Sequence, residues 1–181
     1  MDSRLKLLLI GGNIWYFGEG LLGPLFAVFA QKIGGDIFEI TSAWAIYLIV
    51  AGIMTIAIGK YSDSPKRKEW LLVLGYALNA AFTFGYLFVN NPAGLFIVQI
   101  GLGIASAMAT PTWDALYSQY GSREKSGYEW GLAGGWPHIL TGIAAIAGGL
   151  IVTYLSFEAL FIAMVAIQVI AAAYQAKILR E

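Results

Sequence analysis

Six apolar runs, each close to the length of a bilayer-crossing helix, take up most of this chain and leave only short polar breaks between them. The hydrocarbon core of a membrane is about 30 Å thick and an α-helix rises about 1.5 Å per residue, so roughly 20 apolar residues make a span. The runs fall at about 7–30, 42–58, 69–89, 93–117, 127–152 and 157–176. Asn90-Asn91-Pro92 is a strong turn signal after the third, and a minimal turn around Tyr154-Leu155-Ser156 precedes the last. Composition agrees: 12% of residues are charged, against about a quarter in a soluble domain. The start, basic at Arg4 and Lys6 and then apolar, has the outline of a signal peptide. Its apolar part is too long and is interrupted by Glu19, so it is read as a retained helix.

Basic residues set the orientation. Alternate breaks place Arg4, Lys6, Lys60, Lys66, Arg67, Lys68, Arg123, Lys125, Lys177 and Arg180 on one side and only Lys32 on the other. Short loops rich in Lys and Arg stay cytoplasmic. The expectation is therefore an all-α, six-span protein of the cell membrane, a single domain over 1–181, with both termini cytoplasmic.

The most basic break, Gly59-Lys60-Tyr61-Ser62-Asp63-Ser64-Pro65-Lys66-Arg67-Lys68, resembles the Gly-x-x-x-Asp-x-x-x-Arg-Lys loop between the second and third helices of the major facilitator superfamily. Gly59, Asp63, Arg67 and Lys68 fall on the pattern, while Ser64 and Lys66 stand where a basic residue and a Gly are usual. That family has twelve spans in two halves, each half built from inverted three-helix repeats. This chain has room for one half. The resemblance implies a homodimer that reproduces the twelve-helix arrangement, or pairing with a separately encoded second half. The initial Met and the basic tail after the sixth span are read as a complete protein rather than a truncated half. The resemblance also places the second and fifth spans at the interface, where Gly127, Gly131, Gly135, Gly142 and Gly149 form a small-residue stripe and Ala45, Gly52 and Gly59 a thinner one. It sets Asp63 against the start of the other half's fifth helix, near Gly127 and Tyr128. A helix N-terminus favours a carboxylate by about 0.3–2 kcal/mol, enough to bias a closed state. Asp114 is read as the ion-pair partner of Arg67 in this cytoplasmic gate.

Ionisable and polar groups inside spans are the site candidates, because they are costly in lipid. Glu19 lies near the middle of the first span, and Gly12, Tyr16, Glu19 and Gly23 share one helical face; Asn13 is grouped with them. The resemblance places the first and fourth helices around a central cavity, where a carboxylate can bind a cation or carry a proton. In a dimer two copies of Glu19 would form a coupled pair. Gln99, Gly103, Ser106, Thr110, Trp113 and Tyr117 run along the fourth span as a second cavity wall. The Arg that many proton-coupled members carry on this helix is missing from Phe96-Ile97-Val98-Gln99-Ile100-Gly101. His138, the single histidine, is a candidate proton relay or a structural group. Asn79, Thr83 and Tyr86 are read as structural, and Pro24, Pro111 and Pro137 as sites of helix kinking.

With no Cys and one His there is no metal-ligand cluster. No phosphate or dinucleotide loop is present, and Ser106 with His138 lacks the flanking Gly of an intramembrane serine protease. Neither an enzyme, a cofactor nor a nucleic-acid partner is expected. The expectation is a secondary transporter of a small solute working by alternating access, with a proton or cation as candidate coupling ion. The rival reading is a non-transporting subunit bound to another membrane chain.

Overall fold

The computed structural model describes residues 2–62, 68–122 and 126–180, with the side chains of all but 60–62. These residues are helical throughout, without a strand. The helices are α1 (Ser3–Leu22), α2 (Leu25–Lys32), α3 (Ile37–Ser62), α4 (Lys68–Gly85), α5 (Pro92–Tyr120), α6 (Ser126–Tyr154) and α7 (Phe157–Gln175). Short 3-10 turns follow α4 at Tyr86–Phe88 and α7 at Ala176–Arg180. Five stretches, Ile37–Gly59, Lys68–Phe88, Pro92–Tyr120, Ser126–Tyr154 and Phe157–Arg180, are long and apolar enough to cross a membrane.

The expected continuous helix over 7–30 is broken. α1 ends at Leu22, Gly23 takes a left-handed φ of +24°, and α2 restarts after Pro24. Proline has no N–H for the helix ladder, and glycine adopts positive φ without a steric cost. α3 begins at Ile37 rather than near residue 42 because Asp36 and Glu39 form a reciprocal cap. The Glu39 N–H donates to Asp36 Oδ1 at 2.7 Å, and the Asp36 N–H to Glu39 Oε2 at 3.0 Å. α5 opens on an Asn91 cap followed by Pro92, and α7 on a Ser156 cap.

α1 packs against α6 and α7, α5 packs against α3 and α4, and α4 joins the two groups through α7. Exchanging the triplet α1, α3, α4 for the triplet α5, α6, α7 maps this set of contacts onto itself. Two close backbone approaches obey the same exchange. A Cβ at Gly20 would lie 2.8 Å from the Thr141 Cα of α6, and one at Gly103 would lie 2.8 Å from the Tyr47 carbonyl of α3. Both glycines let neighbouring backbones nearly touch.

Two apolar cores fill the bundle. Leu5, Leu8, Leu72, Tyr76, Leu116 and Ile178 pack at the end carrying the chain termini. Leu21, Phe29, Tyr86, Leu95, Phe157 and Phe161 pack at the other. Between them lies a thin polar layer. α3 and α6 are the least covered helices, exposing Ile49, Ile53 and Ile56 on one and Ile139, Ile143 and Ile146 on the other. A Cβ added at Gly52, Gly127, Gly131, Gly135, Gly142 or Gly149 would meet nothing within 4 Å. Gly148, one residue before the last of these, abuts the Leu21 carbonyl of α1.

Candidate functional site

Glu19 sits in the polar layer between the two cores. Its Oε1 accepts a hydrogen bond from Asn79 Nδ2 of α4 at 2.8 Å and another from Gln168 Nε2 of α7 at 3.1 Å. Gln168 Nε2 also donates to the Trp15 carbonyl at 3.2 Å. Asn79 and Gln168 are fully enclosed, at 2% and 0% exposure. A carboxylate away from water needs donors from the protein itself, and two side-chain amides on neighbouring helices supply them. Gln168 Oε1 and Thr83 Oγ1 lie beside this network buried and without a hydrogen-bond partner among the described residues.

One side of Glu19 faces a cavity of about 550 Å³ between α1, α3, α5 and α6, with Asn79 of α4 also in its lining. Trp44 and Tyr47 of α3, Ser106 and Thr110 of α5, and His138 and Thr141 of α6 complete its wall. Gly20 and Gly23 also border it, so the broken end of α1 opens into the same space. A second cavity of about 260 Å³ shares Trp15, Tyr16, Thr110 and Pro137 with the first and extends past Asn13, Trp113 and Asp114 toward the termini end. Together they make one continuous concave face.

Local contacts aim its side chains. Trp113 donates its indole N–H to the Leu8 carbonyl at 3.0 Å and stacks on Tyr117 at 4.6 Å between ring centres. Tyr117 is anchored in turn by its hydroxyl to the Glu129 carbonyl at 2.6 Å. The Trp44 and Tyr47 rings, one helical turn apart on α3, lie 5.5 Å from each other. His138 Nδ1 is 2.6 Å from the Gly134 carbonyl. A carbonyl only accepts, so Nδ1 carries a proton and donates.

Of the residues singled out from sequence, the fold brings Glu19, Asn13, Tyr16, Ser106, Thr110, Trp113, His138 and Asp114 to the two cavities. Gln99 lines neither and is buried inside the bundle. Asp63 and Arg67 lie outside the described residues; Gly59 lies in the last turn of α3 and Lys68 opens α4. Among the described residues no basic side chain pairs with Asp114. Gln168 was not singled out, and Asn79 was read as structural, yet both hold Glu19. The signal for Gln168 was available: it is an amide at the centre of a run that is otherwise apolar from Phe157 to Ala173 apart from Glu158 at its start.

The family model described as Major Facilitator Superfamily matches residues 8–180 of the chain. Over 134 residues the chain is 27% identical to an uncharacterized MFS-type transporter of Methanocaldococcus jannaschii. That alignment covers 74% of this chain and 34% of the relative, so the matched part spans about a third of the relative's length.

Proposed function

This chain belongs to the major facilitator superfamily, and from that premise we propose that it is a secondary active transporter moving a small solute by alternating access. A multi-pass membrane protein whose polar and aromatic groups gather on one concave face has the chemistry for a solute path. The observation that carries the reading is this face itself: a cavity of about 550 Å³ with the protein-held carboxylate of Glu19 in its wall. Substrate and coupling-ion sites in such folds lie near the bilayer midplane at the repeat interface.

The arrangement proposed is six spans, with α1 and α2 together forming the first. The contact pattern, which survives exchange of the two helix triplets, supports an inverted three-helix repeat. The excess of basic residues on one side supports cytoplasmic termini and residence in the cell membrane. Glu19 is the proposed coupling or cation-recognising group and the Asp63 loop, with Arg67, Lys68 and Asp114, the cytoplasmic gate.

Alternating access requires that one cavity position be reachable from both sides of the membrane. The natural chain has no cysteine, so Thr110→Cys provides a single thiol in the wall shared by the two cavities. Membrane-impermeant maleimide is expected to label it both in right-side-out and in inverted vesicles. Labelling from one side only, under every condition of pH and salt, would remove the transporter reading.

The six proposed spans correspond to one half of a twelve-span arrangement, and a homodimer is the proposed way of completing it. The open glycines of α6 favour it, since helix backbones approach closely at small residues. The rival is a second half from another chain. Native mass spectrometry from lipid nanodiscs separates them. A dimer is expected, and Gly135→Leu is expected to shift it to a folded monomer because the added side chain meets nothing within its own protomer. A wild-type chain that stays monomeric in every lipid sinks the homodimer.

A further inference from the structure

The cavity is acidic, aromatic and without a basic side chain among its described lining residues. Glu19 contributes a carboxylate at the centre, and Asp114 a second one nearer the termini end. The broken end of α1 adds to them. A helix C-terminus carries about half a negative charge, and the one at Gly23 borders the larger cavity. His138 in the wall donates from Nδ1 to the Gly134 carbonyl. Both ionised side chains on this face, Glu19 and Asp114, attract positive charge.

The aromatic groups narrow the class further. Trp15, Tyr16, Trp44, Tyr47 and Trp113 line the cavities, with Tyr16 and Trp44 still 43% and 52% exposed. Ring faces attract cations, most strongly when water is excluded. Three of the chain's own cations already lie over rings outside these cavities: Arg4 over Tyr120, Lys32 over Phe157 and Lys177 over Tyr174. A bare metal ion would want a shell of oxygen ligands, whereas the accessible oxygens here are spread along a wall that is mostly ring and methyl surface.

Resting on the transporter reading, we propose that the solute is an organic cation with an apolar or aromatic body, its positive centre held by Glu19 and its body lying among Trp15, Trp44 and Tyr47. Asp114 extends the favourable field toward the termini end and receives the cation as it moves along the face.

Two ions of nearly the same shape and opposite charge test this. Tetraphenylphosphonium is expected to bind the purified full chain in nanodiscs saturably, by calorimetry and by tryptophan quenching, while tetraphenylborate is not. Benzyltrimethylammonium, smaller and also cationic, serves as the second probe. Glu19→Gln is expected to weaken binding by about tenfold or more, and Asp114→Asn by about threefold, since a charge at close range in a partly dry site acts strongly and a more distant one less. Asp114 takes no part in the hydrogen bonds that hold Glu19, so its substitution tests the charge even if the Glu19 variant does not fold. Equal binding of the phosphonium and the borate overturns the proposal, as does a failure of both organic cations to bind. Thr110 labelled from both sides with no organic cation bound leaves the transporter and removes the cation class. Charge-dependent binding with labelling from one side does the reverse.

Discussion

Gly148→Leu is expected to abolish folding or to lower the unfolding midpoint in detergent by roughly 10 °C, the largest effect of any substitution outside the cavity. A Cβ at this position runs into the Leu21 carbonyl, and the obstacle is backbone rather than a movable side-chain end. Overpacking a tight interface costs about 1–3 kcal/mol when neighbours can shift and more when they cannot. For a chain of this size each kcal/mol is worth roughly 2–4 °C. The Leu21 carbonyl cannot retreat, because α1 is held on its other side by α7 and is broken two residues later at Gly23. Gly149→Leu provides the control. It adds the same side chain one residue along, into open space, and its protomer is expected to melt within about 2 °C of wild type. Size-exclusion profiles after graded heating read both variants, and equal melting of the two would mean that α1 and α6 do not approach as described.

Glu19→Leu is expected to destabilise the folded protein by about 2–4 kcal/mol, and Glu19→Gln by less than about 1 kcal/mol. The leucine fills the volume but removes the acceptor shared by Asn79 and Gln168, both enclosed. An orphaned buried donor costs about 1–3 kcal/mol in soluble proteins, though hydrogen bonds inside membranes average nearer 0.6. Gln168 keeps its bond to the Trp15 carbonyl, so the heavier loss falls on Asn79. Glutamine retains a carbonyl oxygen where Oε1 stands. Combining Glu19→Leu with Asn79→Leu is expected to recover part of the loss, because removing both partners leaves nothing unpaired. Steric trapping or denaturant unfolding in mixed micelles measures all three. Additive losses would break the proposed link between α1 and α4. These stability readings are separate from the role of the Glu19 charge, which the phosphonium experiment addresses.

Much of the helical framework is legible residue by residue. Asn91 with Pro92 marks the start of α5, Ser156 marks α7, and both act within three or four residues of themselves. Asp36 and Glu39 carry an equally local signal, the reciprocal cap, that moves the start of α3 ahead of residue 42. Gly23-Pro24 is also local, and its outcome is a full break rather than a kink because positive φ at Gly23 coincides with a missing N–H at Pro24. The candidate wall on α5 is legible too, since Ser106, Thr110 and Trp113 share a stripe that a helix must keep on one side. Gln99 sits at the same period, but α5 passes into the core before reaching the depth of Gln99.

By itself, the sequence determined that this chain is helical and membrane-embedded, where most of its helices begin, and that Glu19 is anomalous. Each of these follows from hydropathy, capping and charge read over a window of a few residues. Only the tertiary structure decided what Glu19 is bound to. Its two amide donors lie 60 and 149 residues away, on helices whose rotation no local pattern reveals. The same holds for Gly148 and Gly149. As neighbours of one residue type they are indistinguishable in sequence, yet one abuts a carbonyl of α1 and the other meets nothing. Successive residues on a helix point about 100° apart, so which of the two bears the packing depends on where α1 comes to rest.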